Sequence, residues 1–256
     1  SLAPLFSGDL SLFKLWADTK HVSSNWRSVK EFLTVLAKKK LGVNFGTFVG
    51  YSTLRQEIMG SDRRDLTHNE TNTIKTLLRT ALQDGALGLS LGLGQAPGKY
   101  IPHHEIALML EEVHAKYGVF SVQLRNDAEK GSESVREIIR LAQATKIKTI
   151  ISHLRPLIGF ENEFVKAIKA IDLVSKRLPL YFDSYPFNTS LIPIVSLLPS
   201  WAHHGTPDEI LAHLNHEAGV ERILKDIPHY GARDIVLLRF DKALHAPIMT
   251  IGEFAE

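Results

Sequence analysis

The sequence predicts an α/β fold of the (βα)8 barrel type, incomplete, with about six of the βα units present. Three observations carry this expectation. Strand-like segments start near residues 87, 119, 148 and 180, an interval of about thirty residues that one strand, one helix and two short turns fill. Amphipathic helical stripes occupy the intervals. Polar residues gather at the C-terminal ends of the strands, the end at which parallel αβ folds carry their sites. A doubly wound parallel sheet shares these features, and the gathering of polar ends over six strands favours the barrel. The expected organisation is a single, partial barrel domain over residues 1–256.

Residues 1–24 alternate apolar pieces with Gly, Asp and Ser and give no firm element. Trp26, Val29, Phe32, Leu33 and Leu36 have helical spacing, with Ser23, Ser24 or Asn25 as cap and Lys38, Lys39 and Lys40 in the last turn, a solvated helix end. Gly42 to Val49 reads as a strand, followed by a short helical piece from Ser52 to Met59. A helix starting between Asp65 and Asn69 buries Ile74, Leu77, Leu78, Ala81 and Leu82, and Gly85 ends it. Ala86 to Leu91 is a strand that runs into a loop with Gly92, Gly94, Pro97 and Gly98, too little for a phosphate fingerprint. Pro102 suits the first position of the next helix, striped by Ile106, Met109, Leu110 and Val113 and closed by Gly118. Strand Val119 to Leu124, helix Ser132 to Ala144, a strand from about Lys148, helix Glu163 to Lys176 and strand Leu180 to Phe182 continue the alternation. Pro193 to Trp201 is loop-like, Pro207 to Leu214 and His216 to Lys225 are helical, Asp234 to Arg239 is a sixth strand, and Ile251 to Glu256 looks like the start of a helix.

Thirty basic against twenty-eight acidic residues leave a net charge of +2, so there is no field of the kind that recruits nucleic acid or a membrane surface. Zero cysteines exclude disulfides, thiolate ligands and a cysteine nucleophile, and are compatible with the cytosol. No apolar run approaches the length of a membrane span, and Ser1 to Pro4 has no basic leader, so a cytoplasmic location is expected. The absence of an initiator Met suggests a processed or cut chain. A barrel short of strands exposes edges, so the chain is expected either to form a homo-oligomer or to be covered by further segments.

The stretch Lys148 to Pro156 brings chemistry to a strand end: β-branched Ile147, Ile150 and Ile151 lead into Ser152, His153 and Arg155. A His in that place points at a ligand or is a hydrogen-bonded residue under a loop. Strand alternation puts His153 and Arg155 on one face. His103-His104 and His203-His204 are adjacent pairs whose side chains diverge, which favours solvated roles over metal binding. His213 and His216 share a helix face but lack the Glu of a His-Glu-x-x-His pattern. Thr189 and Ser190 have no Gly-x-Ser-x-Gly context, so a serine hydrolase does not fit.

Several segments together resemble the N-acyl-D-amino-acid deacylases, or D-aminoacylases, of the metal-dependent amidohydrolase superfamily. They are Ser1 to Pro4, the Asn-x-Gly-x-x-x-Gly-x-x-x-x-Arg pattern ending at Arg55, Gly85-Ala86-Leu87-Gly88-Leu89-Ser90 with Pro97-Gly98-x-Tyr100, Glu133-Ser134-Val135, Ile151-Ser152-His153, Asp183-Ser184-Tyr185-Pro186-Phe187, and Leu198-Pro199-Ser200-Trp201. The resemblance implies a (βα)8 barrel that hydrolyses the amide bond of N-acyl (D-)amino acids or related small carboxylated amides with zinc or a similar divalent metal. By resemblance His153 is a metal ligand, and Arg155 and Tyr185 contact the substrate carboxylate. Gln123 stands where the family has a second His, and an amide is a far weaker ligand than imidazole. The family's His-x-His pair, bridging Cys and catalytic Asp have no counterparts in these residues, so the chain is expected to be a fragment lacking both ends of the domain. No catalytic base is assigned. The isolated chain is expected to hold no stoichiometric zinc and to be inactive; the alternative function is an inactive amidohydrolase-like barrel that binds a small ligand or partner.

Overall fold

The computed structural model describes residues 26–60, 62, 64–94, 98–184, 186–187, 198–199, 201–202, 207–226, 236–237 and 249–250. Two compact units emerge from the contacts, one containing residues 23–187 and the other residues 188–256.

The first unit is an alternation of strands and helices. Helix α1 (Val29–Ala37) is capped by Ser28, whose Oγ accepts the Glu31 N–H at 3.1 Å. The cap therefore lies three residues past the last expected candidate, and Lys38 to Lys40 follow the helix rather than forming its last turn. Strand β1 (Val49–Gly50) leads directly into α2 (Tyr51–Met59). The extended segment expected from Gly42 is mostly not ladder: Val43 is 78% and Phe45 54% exposed, and only the Thr47 carbonyl accepts a bond from Leu87 N, at 2.8 Å. Helix α3 (His68–Gln83) opens on a capping box in which Thr67 and Glu70 satisfy each other's backbone N–H groups. Arg64 forks onto the Glu70 carboxylate at 2.7 and 2.8 Å, and this pairing with the cap bonds holds the Glu70 carboxyl well below its ordinary pKa.

Strand β2 (Gly88–Gly92) is followed by a 3-10 turn over Gly98–Tyr100 and by α4 (His103–His114), which Pro102 precedes as N-cap instead of opening. Strand β3 (Val119–Gln123), α5 (Gly131–Thr145), β4 (Lys148–Ile151), α6 (Glu161–Ser175) and β5 (Leu180–Phe182) complete the unit. All neighbouring strands pair in parallel, in the order β1-β2-β3-β4-β5. A doubly wound sheet reverses direction at a switch point; a monotonic order with each strand followed by a helix is that of a barrel in progress. The fold is thus α/β, an incomplete (βα)8 barrel.

Alternation sorts the strand side chains. Leu89, Leu91, Phe120, Val122 and Ile151 are at most 4% exposed and join the core shared with Ile106, Met109, Leu110, Val113, Val135 and Ile138 of the helices, and Thr149 is buried on the same face. Burying a side chain such as Phe120 or Leu89 stabilises the fold by about 1.5–3 kcal/mol. The register lines up Ser90, Ser121, Ile150 and Tyr181 on the opposite face, which carries far less apolar cover. At the N-terminal end of β2, Gly88 has φ +154°, and a Cβ there would lie 1.9 Å from the Val119 carbonyl, so only glycine lets β2 and β3 approach.

In the second unit the described elements are α7 (Pro207–Leu214), α8 (Glu217–Asp226) and the strands β6 (Val236–Leu237) and β7 (Met249–Thr250). The strand expected around Asp234 to Arg239 is present as β6, but it pairs antiparallel with β7 in a two-stranded sheet of its own. Among the described residues five strands form the parallel sheet, and β6 is not one of them. Trp201 donates its indole N–H to Asp226 at 3.0 Å, and Arg222 lies 4.1 Å above its ring. The helix expected over Ile251 to Glu256 lies outside the described residues.

Candidate functional site at the strand ends

The C-terminal ends of β2 to β5 bring together Gly92, Gln123, Ser152, His153, Arg155 and Asp183. Gln123 closes β3 opposite Gly92. Its amide lies over the end of β2: a Cβ at Gly92 would sit 3.3 Å from Gln123 Oε1, and one at Gly94 would sit 3.2 Å from Nε2. The glycines of that loop make room for the Gln123 side chain. Ser152 continues the ladder with its N–H on the Val122 carbonyl at 2.8 Å, and its hydroxyl meets that of Ser121 at 2.9 Å.

Strand β4 ends at Ile151, so alternation does not govern the next residues. His153 turns into the left-handed region, φ +45°. Its N–H donates to Asp183 Oδ1 at 2.6 Å, while Asp183 ties its own backbone to Ile151 and Leu154 at 3.0 and 2.9 Å. Arg155 then folds back on His153: Nη1 donates to the His153 carbonyl at 3.2 Å and to ring Nδ1 at 3.3 Å. The two residues that the sequence placed on one face do meet, through a turn and direct contact rather than strand pleating. Asp127 Oδ2 stands 3.9 Å from Arg155 Nη1 and is 39% exposed. Tyr185 lies outside the described residues, as do His203 and His204.

A second basic residue at the mouth is fully engaged. Arg125, just beyond β3, pairs with Glu137 of α5 at 2.8 Å and donates to the carbonyls of Lys99 and Ile101, pinning the turn that follows β2. His103 Nε2 is 3.0 Å from the same Glu137 carboxylate. Burial and the nearby Arg125 charge lower the Lys99 pKa. The Glu133-Ser134-Val135 segment has a positional role: Ser134 Oγ accepts Asn126 N at 3.1 Å, and Asn126 Oδ1 caps Ala128 N and Lys130 N at 3.0 Å each. His104 is exposed, and the His213 ring packs on Trp201.

Sequence reasoning missed a buried triad beside β1. Tyr51 O–H donates to Glu105 Oε1 at 2.7 Å and Arg55 Nε to the same oxygen at 3.0 Å, with both charged side chains at most 4% exposed. Arg55 also donates to the carbonyls of Asp62 and Arg64 at 3.1 and 2.6 Å. Burial and the Glu105 charge raise the Tyr51 pKa far above its ordinary value. Arg55 is the Arg of the motif above; its partner is fifty residues on, which local spacing cannot reveal.

The described residues do not by themselves make up a divalent-metal site. Among the described residues no three His, Asp or Glu side chains converge on a common point. The matched imidazole, His153, has its Nδ1 3.3 Å from the Arg155 guanidinium, and the Gln123 amide lies over Gly92 and Gly94 at the end of β2.

No protein-family model matches the chain. D-aminoacylase of Alcaligenes xylosoxydans xylosoxydans is 26% identical over 161 residues, covering 61% of this chain and 33% of the relative. N-acyl-D-aspartate deacylase of the same organism is 25% identical over 169 residues, covering 64% of this chain and 34% of the relative. The chain therefore spans about a third of the length of the curated relatives it matches. Among solved structures, N-acyl-D-glutamate deacylase of Bordetella bronchiseptica, complexed with zinc and a phosphonate mimic of the tetrahedral intermediate, superposes with a TM-score of 0.64 at 22% identity over 73% of this chain and 39% of its own. A D-aminoacylase with a binuclear metal centre gives 0.66 at 21% identity over 89% of this chain and 51% of its own. These two likenesses support the fold. In sequence the chain is similar to D-aminoacylase and the N-acyl-D-amino-acid deacylases over part of their length, and in fold it is similar to the solved structures of such enzymes.

Proposed function

We propose that this protein acts on N-acyl amino acids, or closely related small carboxylated amides, as an amide hydrolase, with Arg155 and Tyr185 receiving the substrate carboxylate. The observation that carries the reading is the position of Arg155, folded over His153 at the C-terminal mouth of the sheet, in a chain whose sequence relatives are deacylases of such compounds. A guanidinium suits this task because its planar fork matches a carboxylate with two parallel bonds. No hydrolytic step is derived from the described residues, which lack a metal-ligand set and an assigned base.

A second reading has its own support. Gln123 at the end of β3 offers an amide in place of imidazole, which favours a barrel that binds the same class of ligand without turning it over. Amine release from a panel of N-acetyl-D-amino acids, measured beside ligand binding on the same preparation, separates the two. Turnover above the uncatalysed rate supports the hydrolase; binding without turnover supports the non-catalytic relative; neither sinks the ligand class itself. Gln123→His alone is expected to leave turnover unchanged, since one added imidazole does not complete a site that needs about three protein ligands.

A further inference from the structure

We infer that Gln123 is the specificity-determining residue at the strand ends, and that its side-chain carboxamide selects amino acids whose acyl group is a carbamoyl, a carbonyl bearing a primary amino group, over those with an acetyl group. This rests on the reading of small carboxylated amides as ligands and specifies which amide the mouth takes.

The strand register sets the position. Ser90 and Gly92 of β2 lie opposite Ser121 and Gln123 of β3, on the face turned away from the core side chains Leu89, Leu91, Phe120 and Val122. The polar side chains on that face of β2 and β3 are uncharged. Ser90 Oγ donates to the Val49 carbonyl at 3.3 Å, and the hydroxyls of Ser121 and Ser152 bond each other at 2.9 Å. Gln123 differs from them. Its backbone carbonyl accepts the Leu93 N–H at 3.2 Å, but among the described residues its half-buried side chain has no hydrogen-bond partner at Oε1 or at Nε2, and neither atom is sealed from solvent.

Glycines on the facing loop keep this amide clear. A Cβ at Gly92 would stand 3.3 Å from Oε1, and one at Gly94 would stand 3.2 Å from Nε2 and 3.0 Å from the Leu124 carbonyl. Backbone methylenes therefore flank the carboxamide without supplying it a partner. A neutral acceptor and a neutral donor are left side by side on one planar group. Both are served by water while the mouth is open. Once a ligand covers them, an atom left without a partner carries the desolvation cost of a buried polar group. A carbamoyl group meets both needs: its carbonyl accepts from Nε2, and the N–H on the same side donates to Oε1, closing a ring of two bonds. The N–H and C=O of a trans secondary amide point to opposite sides, so an acetylated amine satisfies one atom of Gln123 and strands the other. An imidazole has no such edge, because its two nitrogens point apart. The amide that is a weak metal ligand is thus a selective reader of amides.

The test compares N-carbamoyl-D-alanine with N-acetyl-D-alanine, an isosteric pair that differs by an amino group in place of a methyl, and with N-ethylurea, which is the first compound without its carboxylate. Each is titrated calorimetrically into the full chain. N-carbamoyl-D-alanine is expected to bind about tenfold more tightly than N-acetyl-D-alanine, the cost of one stranded polar group, and more tightly than N-ethylurea. Gln123→Met, which keeps the length of the side chain without its donor or acceptor, should equalise the two alanine derivatives. Gly92→Ala, whose Cβ crowds Oε1, should narrow the preference several-fold, so the inference stays falsifiable if the methionine variant misfolds. Equal or reversed affinities for the two derivatives in the parent, or a carbamoyl preference that survives both substitutions, overturn the inference and leave the proposed ligand class standing. N-ethylurea bound as tightly as N-carbamoyl-D-alanine, with that binding weakened in Gln123→Met, supports the inference and overturns the proposed ligand class. No binding of any of the three overturns both.

Discussion

The Arg55–Glu105 pair shows what a single residue can hold in this fold. Both side chains are removed from water, and Arg55 joins α2, α4 and the segment around Asp62 and Arg64 through three hydrogen bonds. Glu105 Oε2 has no hydrogen-bond partner among the described residues, so the pair is under-satisfied on the acid side. Taking charge from one partner strands the other in a low-dielectric site, and breaking such a pair costs about 3–5 kcal/mol. Glu105→Gln is therefore expected to lower stability by about that amount in urea unfolding, with no change of slope; a loss under about 1 kcal/mol would mean that water reaches the pair. Arg55 was legible as the end of a glycine-spaced motif. Glu105 was not, because it looks like an ordinary surface glutamate in the first turn of a helix until α2 and α4 are packed. His153 and Arg155 were legible as a pair, but their mutual contact depends on a left-handed turn that no residue type there announces.

At the scale of elements, α5 and α6 are joined at their N-termini. Ser132 donates its N–H and hydroxyl to Glu163 Oε2 at 3.2 and 2.6 Å, and Lys166 reaches Oε1 at 2.6 Å. The lysine, followed by the serine bonds, pulls the Glu163 pKa down to about 2. An unfolded glutamate titrates near about 4.3. A depressed carboxylate contributes stability that is fully present above the unfolded value and is lost as pH falls toward the folded one. The contribution should therefore fade between about pH 4.3 and about pH 2, and less steeply at high salt. Thermal unfolding followed through that window should show a flatter pH slope in Glu163→Gln than in the parent; superimposable slopes would remove the link. Helix existence and type were readable because the 3.6-residue stripes are strong, and the start of α3 falls within the expected Asp65 to Asn69. Strand β1 was overextended because Val43 and Phe45 alternate like a buried strand while the fold leaves them exposed. The partner strand β7 gave no comparable apolar run, so the antiparallel sheet of the second unit went unseen.

For the molecule as a whole, the five-strand parallel order was readable from the repeat because each strand and its helix form one unit that meets its sequence neighbour first. The remaining question at this scale is what holds that unit together. Its core is a continuous apolar cluster from Val29 to Leu180, clasped by ion pairs such as Arg79–Glu112 at 2.6 Å. A ligand that binds only the native state adds RT ln(1 + [L]/Kd), about 2.7 kcal/mol at a hundredfold excess over Kd. For a domain of this size each kcal/mol raises Tm by about 2–4 °C, so a working zinc site saturated a hundredfold would raise it by about 5–10 °C. With Gln123 where the resemblance places an imidazole and no three-ligand cluster among the described residues, Tm should move by less than about 1 °C on adding zinc to the EDTA-treated chain, whereas saturating N-acetyl-D-alanine should raise it. Differential scanning calorimetry reads both effects on one sample. A zinc-induced rise of several degrees that His153→Phe abolishes would return His153 to the ligand role and with it the metal-dependent reading of the whole chain.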